Sequence, residues 1–372
     1  MPNINDENIF STGAKKLYRY PDRIEKWVQG KPIPPIALEI QPSERCNHHC
    51  PRCQSKYSMP LAEANNRANL GSYLDVSLLD NIWANPPEGI IISGHTGDPL
   101  MHPSIDKILF SIAKHNIGIA LITNGQALNA NLAEIIINTC EGVRISLDAY
   151  DPTSFKLTHG VGEDAWHGVL ENIRILVNAK RRAANQEYSC DIGIGYLTDA
   201  NNTEGMYKAA LLAKELGVDY IQYRPFHYYA NEIEKEFKAC QAISEDKKFE
   251  VICSAQKYNL IDHKQRPYSA CHASAFYSVL DARGDIYICC HHVGWEKAKV
   301  GSLKECTWEE ILKRRTKNNI SNQFPNKRCV PLCRLHPHNI ELNRILQKEN
   351  ININDMPIRA DSDKWARHSK YL

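Results

Sequence analysis

Residues 36–53 read IALEIQPSERCNHHCPRC: an apolar, β-branched run, a polar turn, then three cysteines within eight residues. IALEIQ (36–41) has the composition of a short buried strand, and the cysteine loop follows it directly. The same grammar recurs along the chain. GIIISG (89–94), IGIALIT (117–123), VRISLD (143–148), DIGIGYL (191–197) and DYIQYRP (219–225) read as further strands. Helical segments fall between them near Ile105–His115, Ala130–Thr139, Ala165–Arg182 and Gly205–Leu216. Short apolar strands alternating with amphipathic helices predict parallel βαβ units. Six such units over ~190 residues predict an α/β fold, a partial (β/α)6 TIM-like barrel, with ligands gathered at the carboxyl ends of its strands.

Working outward, residues 1–33 are a polar N-terminal extension with a short helix around Asp22–Gln29, and 34–260 form the barrel. A helical stretch is expected over about 233–260. Then SAFYSVLD (274–281), Arg283-Gly284 and DIYICC (285–290) read as a β-hairpin, followed by a helix from Thr307 to about Asn318 and by CVPLC (329–333). This second, cysteine-rich module spans 261–340, and a tail that begins as a helix runs from 341 to 372.

With 43% hydrophobic and 24% charged residues the composition is that of a globular protein. A formal net charge of +2 points to no nucleic-acid or membrane partner. No apolar stretch approaches the ~20 residues of a membrane helix, and the start lacks a signal pattern, so a cytoplasmic location is expected. In that reducing setting the 13 cysteines, an odd number, favour metal binding over disulfides. Three cluster at 46–53 and seven lie between Cys253 and Cys333, while Cys140, Cys190 and Cys240 are scattered and read as small core residues.

Cys46, Cys50 and Cys53 form a C-x3-C-x2-C loop. Three thiolates can hold three irons of a cubane cluster and leave the fourth open to a chelating ligand. Zinc, with His48 or His49 as fourth ligand, is the alternative. ALEIQPSERCNHHCPRC resembles the first strand and cluster loop of the radical S-adenosylmethionine (SAM) enzymes, over about 35–340 of the chain. The resemblance implies a [4Fe–4S] cluster on Cys46, Cys50 and Cys53, with SAM on its open iron. One departure is Arg52, where the family commonly has an aromatic residue. Thr96-Gly97-Asp98-Pro99 resembles the family's Gly-Gly-Glu-Pro segment, which meets the cofactor's amino group. Thr123-Asn124-Gly125 resembles a family strand-end turn, Ser146 and Asp148 occupy positions that meet the ribose or methionine part of SAM, and Ile192–Leu197 would flank its adenine.

Cys271, Gly284 and Cys289 are spaced as at the start of the SPASM module, or of its shortened twitch form, and Cys329 with Cys333 can complete a four-thiolate auxiliary site. Cys290 is an alternative to Cys289, since adjacent strand residues point to opposite faces. A zinc hairpin is the other reading, and Cys253 and Cys306 are spare ligands. By resemblance, a donor such as flavodoxin or ferredoxin supplies the electron that cleaves SAM. A deoxyadenosyl radical then removes a hydrogen atom from substrate, and one auxiliary [4Fe–4S] cluster accepts an electron or positions the substrate. The expected substrate is small and polar, a sugar or aminocyclitol, facing Arg224, His227, Tyr228 and Tyr229. Net oxidation or epimerisation is expected, with modification of a ribosomally made peptide as the alternative and a non-catalytic metal scaffold as the reading of another class.

Overall fold

A computed structural model describes residues 13–55, 71–183, 190–226, 228, 232–244, 248–258, 266–317, 329–347 and 370–371. Seven parallel strands follow one another: β1 (Ala37–Ile40), β2 (Gly89–Ile92), β3 (Gly118–Thr123), β4 (Gly142–Ser146), β5 (Asp191–Thr198), β6 (Tyr220–Pro225) and β7 (Glu250–Cys253). Each pairs with the next in register. β1 and β2 are buried along their whole length, and β2 reads as an unbroken apolar run while β1 is interrupted only by Glu39. The helices between them carry clear start and stop signals. Pro152–His159 begins with a capping box between Asp151 and Ser154 and ends at Gly160, whose φ of 65° is left-handed. Ala130–Thr139 starts where the Asn129 side chain accepts from Leu132 N at 3.0 Å.

One expectation is corrected by the structure, and one pairing is added to it. The stretch 233–260 is not continuously helical: Glu234–Gln241 is a helix, but β7 interrupts it and extends the sheet beyond β6. EVIC is too short to show a period, so flanking helical residues masked it. The hairpin strand β8 (Tyr277–Leu280) also does not stand apart. It pairs in parallel with β1 and continues through β9 (Asp285–Tyr287) to β10 (Lys299–Ser302), making a ten-stranded sheet. The second cysteine group is thereby fixed beside the barrel's first strand.

All the strand-end segments read from the sequence lie on one rim, after β1 to β6. The opposite end is closed by the chain's other extremity. Lys370 Nζ and Tyr371 Oη reach Glu141 just before β4, at 2.5 and 2.6 Å, and Lys16 Nζ donates to Tyr371 O at 2.5 Å. Trp308 opens the helix Trp308–Lys317 and is 2% exposed, and its Nε1 donates to Asn85 O at 2.9 Å. Trp308→Ala is expected to cost about 3–5 kcal/mol, and Trp308→Phe about 1 kcal/mol through the orphaned carbonyl. Thermal melting of the two variants checks both the size and the order of the losses.

Candidate active site

The cysteine loop is pinned from three sides. Asp98 N donates to Arg45 O at 2.8 Å, His49 N to His159 O at 3.0 Å, and Arg283 Nε pairs with Glu44 Oε1 at 2.8 Å. The segment after β2 approaches so closely that a Cβ on Gly97 would lie 2.2 Å from Ser43 O. A glycine is therefore required there. At Gly160 a Cβ would lie 2.5 Å from His49 O, so the left-handed helix end and the loop fit only without a side chain.

Donors face the sulfurs. His48 N lies 3.4 Å and Asn124 Nδ2 3.8 Å from Cys46 Sγ. Burial, then the nearby charges of Asp98 and Cys53, pushes the Cys46 thiol up to about 11, and burial raises Cys50 as well. Without metal these thiols keep their protons at neutral pH, so iron must displace them on binding. Three thiols on one loop that sense one another's charge, with N–H donors on the sulfur, fit a thiolate-bound cluster.

The sulfur of Cys50 and ring nitrogens of His48 and His159 lie within 4.8 Å of one another. His159 Nε2 is bonded to Leu147 O at 2.8 Å, which leaves Nδ1 as its lone pair. His48 Nδ1 lies 3.0 Å from that nitrogen, and His48 Nε2 lies 2.5 Å from Gln126 Oε1. Burial lowers both imidazoles to about 4, so both are neutral. The pair braces the loop. His48 has both nitrogens engaged, which disfavours it as the fourth ligand of the zinc alternative and leaves His49 for that reading.

Thr96 and Gly97 lie partly open on the rim. Asp98 is buried, and its carboxylate takes four hydrogen bonds: two from Thr123 Oγ1 at 2.8 and 2.9 Å, one from Asn124 N at 2.7 Å and one from Leu100 N at 3.0 Å. It clasps the ends of β2 and β3 together. Ser146 ends β4, and Asp148 follows at a φ of 48° with Oδ1 accepting from Leu197 N at 2.6 Å. Burial raises Asp148 to about 6 despite that bond and the nearby Arg224 and Arg144. Arg52 forms an ion pair with Asp199, tying the cluster loop to the end of β5 where an aromatic residue was expected. Arg224 points into the barrel lumen beside Arg144, and Tyr228 packs against Phe226 at 5.7 Å. His227 and Tyr229 lie outside the described residues.

Cys271, Cys289, Cys329 and Cys333 come together on the wall of one cavity, with Arg266 and Asn339. Asn339 Nδ2 donates to Cys271 Sγ at 3.5 Å and His291 N to Cys289 Sγ at 3.4 Å. Cys290 is not on that wall and senses His291 and Arg334 instead. Cys253 and Cys306 are not on it either.

The lumen holds residues that sequence reading passed over. Glu39 accepts from Gln41 and Ser93 at 2.7 Å, from Arg334 at 3.1 Å and from the Tyr277 hydroxyl. Arg144 donates to Gln222 at 2.7 Å, and Lys257 is buried nearby. The signal was present in IALEIQ, VRIS and YIQYRP, where a charge in an otherwise apolar strand alternates with core residues.

The sequence profile of the Radical SAM superfamily matches residues 40–210. SuiB from Streptococcus suis bound to precursor peptide SuiA superposes with a TM-score of 0.60 at 16% identity, over 89% of this chain and 78% of that one. Native anSMEcpe with bound AdoMet superposes with a TM-score of 0.56 at 15% identity, over 84% of this chain and 96% of that one. At such identities the likeness is one of fold. No curated protein matches the sequence. The match gives a radical SAM domain over residues 40–210, and such a domain implies an enzyme that uses a [4Fe–4S] cluster and SAM. Among the described residues no helix is long and apolar enough to cross a membrane.

Proposed function

We propose that Cys46, Cys50 and Cys53 hold the SAM-binding cluster and that the enzyme removes a hydrogen atom from a small polar substrate seated in the barrel lumen. Once bound, the cluster and SAM supply an electron and a carbon radical able to attack an unactivated C–H bond. The chain's own residues hold and shield that chemistry. Asp98 and Thr123 fix the rim segments, Thr96 and Gly97 meet the cofactor's amino group, and Ser146 with Asp148 meets its ribose or methionine part. Arg224, His227 and Tyr228 face the substrate. Cys271, Cys289, Cys329 and Cys333 hold one auxiliary cluster in a module spanning 261–340, beside a barrel of 34–260. Held there, that cluster would supply an acceptor for the substrate's electron in a net oxidation, or a point that positions the substrate for epimerisation. A flavodoxin or ferredoxin supplies the first electron.

The observation that carries the small-substrate reading is the lumen itself, a cavity of about 160 Å3 walled by strand residues. A second reading, modification of a peptide, is favoured by the likeness of fold to SuiB bound to precursor peptide SuiA. Deuterium transfer separates the two. Cells grown in heavy water give a deuterated extract, and its fractions below and above about the size of a short peptide are offered to the reduced enzyme. Deuterium in 5′-deoxyadenosine from the small fraction alone is expected. Deuterium from the large fraction alone replaces this reading with the peptide one.

A further inference from the structure

The lumen beneath the rim is charged in one sense. Among the described residues lining it are five cations, Lys16, Arg144, Arg224, Lys257 and Arg334, and one carboxylate, Asp191. Two cations are accounted for: Arg334 pairs with Glu39 and lies 4.3 Å over the Tyr277 ring, and Lys16 donates to Tyr371 O. The other three are poorly partnered. Arg144 has one bond, to Gln222 Oε1, and its Nε is buried without an acceptor. Arg224 Nε is likewise buried without an acceptor, and its guanidinium makes no hydrogen bond or ion pair among the described residues. Lys257 is 8% exposed, and its ammonium has no acceptor among them either.

Buried charges are ordinarily paired, because an unpaired one loses its hydration and recovers nothing. Three in one cavity call for an anion. Their position says whose. A Cβ on Gly195 of β5 would lie 3.3 Å from Arg144 Cδ and 3.4 Å from an Arg224 terminal nitrogen, so both guanidinium groups cross over Gly195. Gly195 is one inward-facing residue below Leu197, whose N–H holds Asp148 at the rim. The cavity these cations line reaches Gly142, Asp191 and Tyr220, the first residues of β4, β5 and β6, so it extends below the rim that carries Asp148. Burial with Arg224 and Arg334 beside it lowers Lys257 to about 7, as expected of an ammonium awaiting a counter-charge.

Resting on the reading that the lumen is the substrate site, we infer that the substrate is anionic, carrying a carboxylate or phosphate group that Arg144, Arg224 and Lys257 bind. Bidentate arginine suits either oxyanion. An aminocyclitol's ammonium groups would meet three like charges here, so an acidic sugar or other small acid fits and an amino sugar does not.

Inorganic phosphate is the probe, titrated into the anaerobically reconstituted enzyme against sodium chloride of equal ionic strength. Phosphate is expected to raise the melting temperature saturably, by about 3–5 °C near a hundredfold excess over Kd. In Arg224→Gln and in Lys257→Met that rise falls at least about threefold, as one charge-assisted contact is lost. Lys257→Met also melts above wild type without phosphate, because it removes an unpaired buried charge. SAM affinity moves less than about twofold, since its carboxylate is held elsewhere. Absence of a saturable rise in wild type, an equal rise in both variants, or a Lys257→Met protein that melts below wild type overturns the inference. A loss of SAM affinity of about tenfold in both variants also overturns it, by assigning the cations to the cofactor's carboxylate. These melts do not depend on turnover, so failure to form deoxyadenosine would sink the enzymatic reading while leaving this one measurable.

Discussion

Replacing Cys46, Cys50 and Cys53 together with Ala abolishes 5′-deoxyadenosine formation, down to the background of a cluster-free control. The three sulfurs lie on one loop, Cys46 faces two N–H donors, and the neighbouring His48 and His159 have their ring nitrogens engaged with each other, Gln126 and Leu147 O. The variant should still fold. The loop is held by Asp98 N to Arg45 O, by His49 N to His159 O and by the Glu44–Arg283 pair, none of which uses a thiol. It should also lose about four irons per chain while retaining the rest. Circular dichroism, iron analysis and the deoxyadenosine assay on one preparation read all three. Unchanged deoxyadenosine would remove the cluster from this loop.

The second large effect lies at the other cysteine group. A wild-type chain with both sites filled carries about eight irons, and a Cys329→Ala/Cys333→Ala variant about four. SAM cleavage is expected to continue in that variant, because Cys46, Cys50 and Cys53 lie on the loop after β1 and none of them lines the cavity of Cys329 and Cys333. Product per deoxyadenosine falls towards zero, because the electron left on the substrate has no acceptor. Cys333 directly precedes the turn into the helix His336–Gln347, and Asn339 in that helix bonds Cys271, so loss of the cluster also loosens this corner. Retained structure is therefore checked first by circular dichroism. Oxidised product at an undiminished ratio would show that the second cluster is not an obligatory electron acceptor and would favour a redox-neutral outcome. Zinc in place of the missing irons in wild type would remove the auxiliary cluster altogether.

What could be read from the residues follows the reach of each physical signal. Six parallel strands were legible because GIII or GIALIT, buried on both faces, has no other soluble use at that length. β7 was not, since EVIC between two helical segments has too few residues to display a period. β8 was legible as a hairpin strand, but its pairing with β1, 240 residues earlier (Ala37 pairs Tyr277), was not, since no local pattern encodes a pairing at that distance. The cluster cysteines were legible as spacing. The supports behind them were not: His159 reaches Cys50 from 109 positions away, and the Arg52–Asp199 pair joins two separate strand ends. Asp98 was legible as a position but not as a role, for two of its three donors, Thr123 Oγ1 and Asn124 N, come from the end of another strand. Arg144 and Arg224 fall between these cases. Their inward face follows from alternation, but the excess of positive charge they share with Lys257 appears only when the strands close around one lumen.

The most direct test of the central claim is the product of SAM in the anaerobically reconstituted wild-type enzyme with and without a reductant. Reductive cleavage by the Cys46–Cys50–Cys53 site predicts 5′-deoxyadenosine and methionine in equal amounts with reductant, and neither without it. SAM left intact by a reduced protein that carries its full complement of iron would contradict it.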